Sequence, residues 1–348
     1  MKNKPVARWA AGMGLAAGVV LCVSGPGCFL PPLYGQAKSS APAASYSIAF
    51  TNYHGWKNSL VLRTDLAEAV VVPAIGRVMS FRLRDGDNVF WENEPLFGRT
   101  NAWEEASWRA REWVNYGGDK SWPAPEADWS KYTKRGWRPP PAFDGLAWEA
   151  RIEGSVVVMT SPVDPFYGIR VTRKISLSSS SPTMGIVTTF DRVSGAPAKI
   201  GAWVITQLKE PVGILVPVPE GTKFTNGYAL LAKEPPPSLK VEKGLISLTR
   251  NPKTAHKIGT EAGTLLWVGE KVMCRIDSRR LEDLEYPDQG SSAEVYTNPD
   301  PLRYVELETL GPLRTVKAGE KIVHINVYNL TRRTEATAEG EARKIFKR

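Results

Sequence analysis

At 348 residues, 42% hydrophobic and 23% charged, the chain has material for a full core, as one large β domain or two smaller ones. Its formal charge of +9 includes Lys2, Lys4 and Arg8 at the very start; elsewhere basic residues are interspersed with acids, without a basic helix or basic-aromatic repeat, which argues against nucleic acid as a partner. Three histidines and three cysteines, with no pair at ligand spacing, argue against a zinc site.

Residues 1–37 read as an export signal. Lys2, Lys4 and Arg8 form a positive leader, residues 9–23 are apolar, and Gly35-Gln36-Ala37 offers small residues for cleavage after Ala37. The apolar run is shorter than the roughly 20 residues of a membrane span, so the processed chain is expected in the periplasm or outside the cell, without stable membrane insertion. A lipoprotein is the alternative, since Cys22 and Cys28 are present, although neither follows a Leu-Ala-Gly-like box. Cleavage would leave Cys274 alone in a strand-like run, as a buried thiol with no intrachain disulfide.

A Ser/Ala/Pro linker occupies residues 38–45. From Tyr46 onward, short runs rich in Val, Ile and Thr and bounded by Gly, Pro, Asn or Asp recur at 46–51, 59–63, 69–73, 78–83, 155–161, 169–177 and 184–191. They continue at 200–208, 213–218, 245–249, 264–268, 272–277, 293–297, 304–309 and 321–329. No long stretch has helical period; residues 335–347, within a C-terminal tail at 331–348, allow a short helix that Gly340 weakens. The reading is all-β, a single large sandwich or barrel-like domain over residues 46–330.

Between the early and middle strand runs lies an aromatic stretch. It carries Trp113, Trp122, Trp129 and Trp137, with Tyr116, Tyr132 and Phe143 between them and Trp148 just beyond. Prolines at 123, 125 and 139–141 exclude a regular helix, and Gly117-Gly118 permits a tight turn or close approach. The stretch is expected to be a long, stiff loop that lines a binding site, with Trp122 as a stacking platform and Asp119 and Lys120 as polar contacts. Flat aromatic faces beside carboxylates and a lysine suit a sugar. The plainer alternative is a loop whose tryptophans cap a sheet.

Near the end, Tyr304-Val305-Glu306-Leu307-Glu308 alternates. As a strand it puts Glu306 and Glu308 on one face, about 6.5–7 Å apart along the backbone. Facing a cavity, repulsion and desolvation would raise the pKa of one of them and leave a carboxylic acid beside a carboxylate. The same pattern also describes a solvated outer face.

Glu294-Val295-Tyr296-Thr297, a short loop, the strand ending Glu308-Thr309 and the later Gly319-Glu320 turn are together similar to the C-terminal third of aldose 1-epimerases, the galactose mutarotases. Gly117-Gly118-Asp119-Lys120-Ser121-Trp122-Pro123 resembles the site loop of hexose-phosphate mutarotase relatives, and residues 71–77 with 88–92 resemble the family's early sheet. The resemblance runs over most of residues 46–330. It implies a galactose mutarotase-like β-supersandwich, a carbohydrate ligand, no metal or organic cofactor, and Glu308 as the general base.

The sequence departs from that family at the acid. The histidine-bearing strand falls near Ile205-Thr206-Gln207, and Gln207 cannot donate a proton usefully at neutral pH. His54, in an aromatic and polar segment, and Lys120 are the candidate acids, with Asp119 a further proton carrier. Gln207, Glu306, Tyr296 and Arg77 are candidate substrate contacts, and Arg170 and Arg173 are further partners for an acidic sugar. His256 and His324 read as structural. An epimerase acting at the anomeric carbon is the favoured reading. A non-catalytic carbohydrate-binding module, or a glycan-cleaving enzyme pairing Glu306 with Asp119, are the alternatives.

Overall fold

The computed structural model describes residues 45–100, 113–133 and 138–347. The expected leader, most of the linker and Trp137 lie outside the described residues.

The chain builds two antiparallel sheets by passing between them. It first lays β1 (Tyr46–Tyr53), β2 (Trp56–Thr64), β3 (Ala67–Val72), β4 (Arg77–Leu83) and β5 (Asp119–Ala124) side by side in the first sheet. It then lays β6 (Glu149–Glu153), β7 (Val156–Thr160), β8 (Ile169–Leu177) and β9 (Thr183–Arg192) in the second. β10 (Ala198–Lys209) returns to pair with β5, and β11 (Gly213–Pro217) crosses again. β12 (Ala229–Leu230) ends the first sheet, and β13 (Lys240–Glu242) ends the second beside β14 (Leu245–Leu248), which pairs with β11. β15 (His256–Thr260) joins the first sheet, and β16 (Thr264–Val268) and β17 (Val272–Asp277) join the second. β18 (Ala293–Thr297) and β19 (Tyr304–Leu310) complete the row beside β10, β20 (Arg314–Val316) pairs the start of β10, and β21 (Lys321–Arg332) lies between β17 and β9. The all-β sandwich expected from the strand signals is the architecture observed.

Strand alternation decides which side chains enter the space between the sheets. In β8, Val171, Arg173 and Ile175 are buried while Arg170 and Lys174 are exposed. Leu307, Val295 and Tyr328 meet Ile186 and Phe190 in the main apolar cluster. One ion pair is enclosed there. Arg173 pairs with Asp119, and Asp119 Oδ2 also accepts from Thr206 Oγ1 at 2.7 Å and Tyr328 Oη at 2.6 Å. Both side chains are fully buried. The expected roles of Asp119 as ligand contact or proton carrier and of Arg173 as partner for an acidic sugar are therefore corrected, because each spends its charge on the other inside the sandwich.

The aromatic stretch is more regular than expected. Its middle is the buried strand β5, and Trp129–Thr133 makes a short helical turn. Pro123 is tolerated because β5 is paired on both sides only near Asp119, where β4 touches it; beyond that point one edge carries no ladder. Gly117 and Gly118 enter the strand with φ of 91° and 72°. A Cβ on Gly117 would lie 2.3 Å from the Trp91 carbonyl oxygen, so close backbone approach requires glycine there.

The C-terminal segment belongs to the fold rather than to a tail. β21 runs to Arg332, and helix Ala338–Phe346 buries Ala338 and Ala342 against Leu215, Leu266 and Met273. Thr337 caps it by accepting from the Gly340 N–H at 3.0 Å. Gly340, expected to weaken this helix, sits where an added Cβ would come 3.1 Å from the Thr337 hydroxyl and 3.2 Å from Glu335 Cβ. Thr337→Ala is expected to cost about 1 kcal/mol, read from the urea midpoint at unchanged slope.

Candidate active site

The opposite face of the first sheet gathers the chemistry. Antiparallel partners point the same way, so the register fixes rows across five strands. Lys257 of β15 lies opposite Tyr296, Tyr296 opposite Glu306, and Glu306 opposite Gln207 of β10. The next row runs Gly259, Glu294, Glu308, Ile205 and Lys120. A third places Leu310, Trp203 and Trp122 together. Glu306 and Glu308 thus share a face with Lys120 and Trp122.

Tryptophans wall the cluster. Trp122 meets Trp113, Trp129 and Trp203 edge-to-face, with ring centroids 6.3, 5.2 and 5.3 Å apart. It is only 8% exposed and donates from Nε1 to Asp144 at 3.2 Å, so it forms a packed wall rather than the open stacking platform expected. Arg77 pairs with Asp144 and donates to the Gly117 carbonyl at 2.8 Å, which locks the segment after Phe143 against the start of β5.

Lys120 is enclosed by these groups. Nζ is 4.2 Å from the Trp122 ring centre, 5.1 Å from that of Trp113 and 3.9 Å from Glu306 Oε1. It makes no hydrogen bond among the described residues. Burial and the nearby Arg77 push its pKa down to about 8, against the pull of Glu306, Asp144 and Glu308. Glu306 moves the other way. Burial lifts its carboxyl to about 7, restrained by Lys120 and raised further by Glu308. Gln207 Nε2 donates to Glu306 Oε1 at 2.8 Å.

Glu308 belongs to a second group. Its Oε2 accepts from Trp203 Nε1 at 2.6 Å and from Lys257 Nζ at 3.0 Å. Lys257 also touches Glu294 Oε2 at 2.6 Å. Burial drives the Glu294 carboxyl well above the carboxylate range, with Lys257 opposing and the Glu308 charge adding to the rise. Lys257 keeps its proton against burial because both glutamates hold it.

Not every expected residue joins. His54 lies in the turn between β1 and β2, strands separated from β5 by β3 and β4. It stacks on Phe97 at 4.0 Å and sits 4.0 Å from Glu92. That placement leaves Lys120 as the remaining candidate acid. Tyr296 is in the row with Glu306, its hydroxyl donating to Asn298 at 3.0 Å. The glycan-cleaving alternative loses its pair, because Asp119 faces the core on the other side of β5.

The domain of unknown function DUF4380 matches residues 58–272 of this sequence. The chain belongs to this family. The fold of this DUF4380 protein is galactose mutarotase-like: it is similar to a galactose mutarotase-like protein from Lactobacillus casei, with TM-score 0.54 and 9% identity over 78% of this chain and 100% of that one. A galactose mutarotase-like protein from Clostridium acetobutylicum aligns with TM-score 0.51 and 9% identity over 83% of this chain and 99% of the other. A galactose mutarotase related enzyme from Lactobacillus acidophilus gives 0.50 and 8% over 80% and 98%. No curated protein sequence matches the chain.

Three functional-face residues of the DUF4380 chain escaped the sequence reading. Glu294 precedes Tyr296 by two, so alternation alone places both on one face. Trp203 stands in the same relation to Ile205 and Gln207. Lys257 carried less signal, because His256-Lys257-Ile258-Gly259-Thr260 reads as a loop after Pro252 and pairs as a strand only beside β18.

Proposed function

We propose that this protein is exported and binds a neutral sugar on the outer face of the first sheet, where it interconverts anomers. The observation that carries this reading is the Lys120–Glu306 pair: a fully buried lysine 3.9 Å from a mostly buried glutamate, one displaced down to about 8 and the other up to about 7. Glu306 takes the proton of the C1 hydroxyl, and Lys120 gives one to the ring oxygen. The ring opens, the aldehyde turns, and reversal closes the other anomer. Glu308, only 1% exposed and holding Trp203 and Lys257 on one oxygen, serves as the fixed anion beside the pair.

Charge balance supports a neutral ligand. Arg77 is matched by Asp144, Lys257 by Glu294 and Glu308, and Lys120 by Glu306. Around Lys120, each of these three described cations already has a carboxylate beside it. The export half of the proposal rests on the leader-like start, and finding the chain only in the cytoplasmic fraction with Met1 intact would overturn it.

The test is anomer exchange followed by NMR across free aldoses, with the purified chain. The base must be ionised and the acid protonated, so rate against pH should be bell-shaped, highest between about 7 and 8. Binding without faster exchange at any pH would favour the binding-module reading, to which Gln207 at the expected acid position lends support.

A further inference from the structure

Lys120 can do more than hand over a proton. An ammonium buried without a hydrogen-bond acceptor is costly, and the two other buried cations nearest it, Arg77 and Lys257, each have a closer partner. Arg77 bonds Asp144 and Gly117, and Lys257 is 2.6 and 3.0 Å from two carboxylates. Among the described residues, Lys120 alone of the three has only aromatic faces and one glutamate at 3.9 Å. Its cover is thin, since Trp113 is only partly buried and the Glu306 side chain is 13% exposed. Desolvation beside a second cation, here Arg77, is the general arrangement that turns a lysine into a nucleophile.

We propose that Lys120 forms a reversible imine with the aldehyde of an open-chain sugar, with Glu306 moving the protons. This deepens the sugar reading and rests on it. The step begins from neutral Lys120 and protonated Glu306, which together hold as many protons as the charged pair. The amine lone pair bonds to C1, and the C=O π electrons move to oxygen, which takes the Glu306 proton. The new C–N nitrogen returns a proton to Glu306. Glu306 then protonates the hydroxyl, which leaves as water as the nitrogen lone pair forms C=N. The resulting iminium cation faces the Glu306 carboxylate, so the site gains no net charge. Hydrolysis reverses each step and releases an aldehyde free to close as either anomer.

The geometry is matched by proton affinity. With its titration near 8, Lys120 at pH 7 is neutral about two hundredfold more often than an ordinary exposed lysine.

The full chain is treated at pH 7 with glycolaldehyde, the smallest hydroxyaldehyde, and sodium cyanoborohydride, then mapped by mass spectrometry. Lys120 should gain the hydroxyethyl group about tenfold or more ahead of exposed Lys199 and Lys321. Lys120→Arg keeps a cation but forms no imine. It should lose that mark while Lys199 and Lys321 label as before, with an unchanged near-ultraviolet circular dichroism spectrum as the check on folding. Labelled Lys199 and Lys321 with Lys120 bare would overturn the proposal. Undiminished anomer exchange in Lys120→Arg would also overturn it, together with Lys120 as the acid, leaving only sugar binding and exchange by other groups in place. Failure of the unmodified chain to bind or exchange any aldose would remove the sugar reading, and selective Lys120 labelling would then support imine formation with another aldehyde.

Discussion

Asp119→Asn is expected to cost about 3–5 kcal/mol, read as a fall in the urea midpoint. The substitution leaves Arg173, 0% exposed, with its charge and no counter-charge. Asparagine can still accept from Thr206 and Tyr328, so the loss isolates the ion pair from the hydrogen bonds around it. Replacing both partners by apolar groups, as in Asp119→Leu with Arg173→Met, should recover much of the loss because no buried charge remains. Recovery should be incomplete, since the Tyr328 hydroxyl loses its 2.6 Å acceptor. Adding Tyr328→Phe with Thr206→Val would close that gap, because the Thr206 hydroxyl loses the same acceptor. A single variant as stable as the parent would mean that the pair is open to water and that Asp119 faces outward after all.

The same aspartate shows how far the sequence was legible. Alternation over Tyr304–Leu310 was enough to join Glu306 with Glu308, because that strand is flanked on both sides and its period of two survives. The Gly-Gly to Trp-Pro segment failed on the same principle. Its prolines read as a loop, to which alternation does not apply, and that reading groups Asp119 with Lys120 and Trp122. Once residues 119–124 pair with β10, alternation separates Asp119 from Lys120 and keeps Lys120 with Trp122. Pairing was not visible locally, since the partner lies some eighty residues away, with Trp203 opposite Trp122. Lys257 was hidden for a related reason: its strand has little β-branched content and exists because β18 offers it an edge. The second sheet was easier, because strands such as Ile169–Leu177 carry plain alternation and pair with sequence neighbours.

Glu306→Gln should lower anomer exchange by about 10²–10⁴-fold while leaving sugar affinity nearly unchanged. Glutamine keeps the shape and, through its carbonyl, an acceptor for Gln207, but it cannot take a proton. Lys120 would at the same time lose an anion that raises its pKa, so its titration should move further below about 8. The stability consequence follows from the two signs. A carboxyl lifted from 4.5 to about 7 in the folded chain withdraws stability as pH rises through that window. A lysine lowered from 10.5 to about 8 withdraws it as pH falls through the upper window. Between about 7 and 8 both penalties are present together, which is where activity is expected to peak. Glu306→Gln combined with Lys120→Met removes both groups, so that variant should be inactive yet more stable than the parent near pH 7.5 in urea unfolding. A double variant less stable than the parent at that pH would show that the pair is a structural ion pair and not a strained catalytic one.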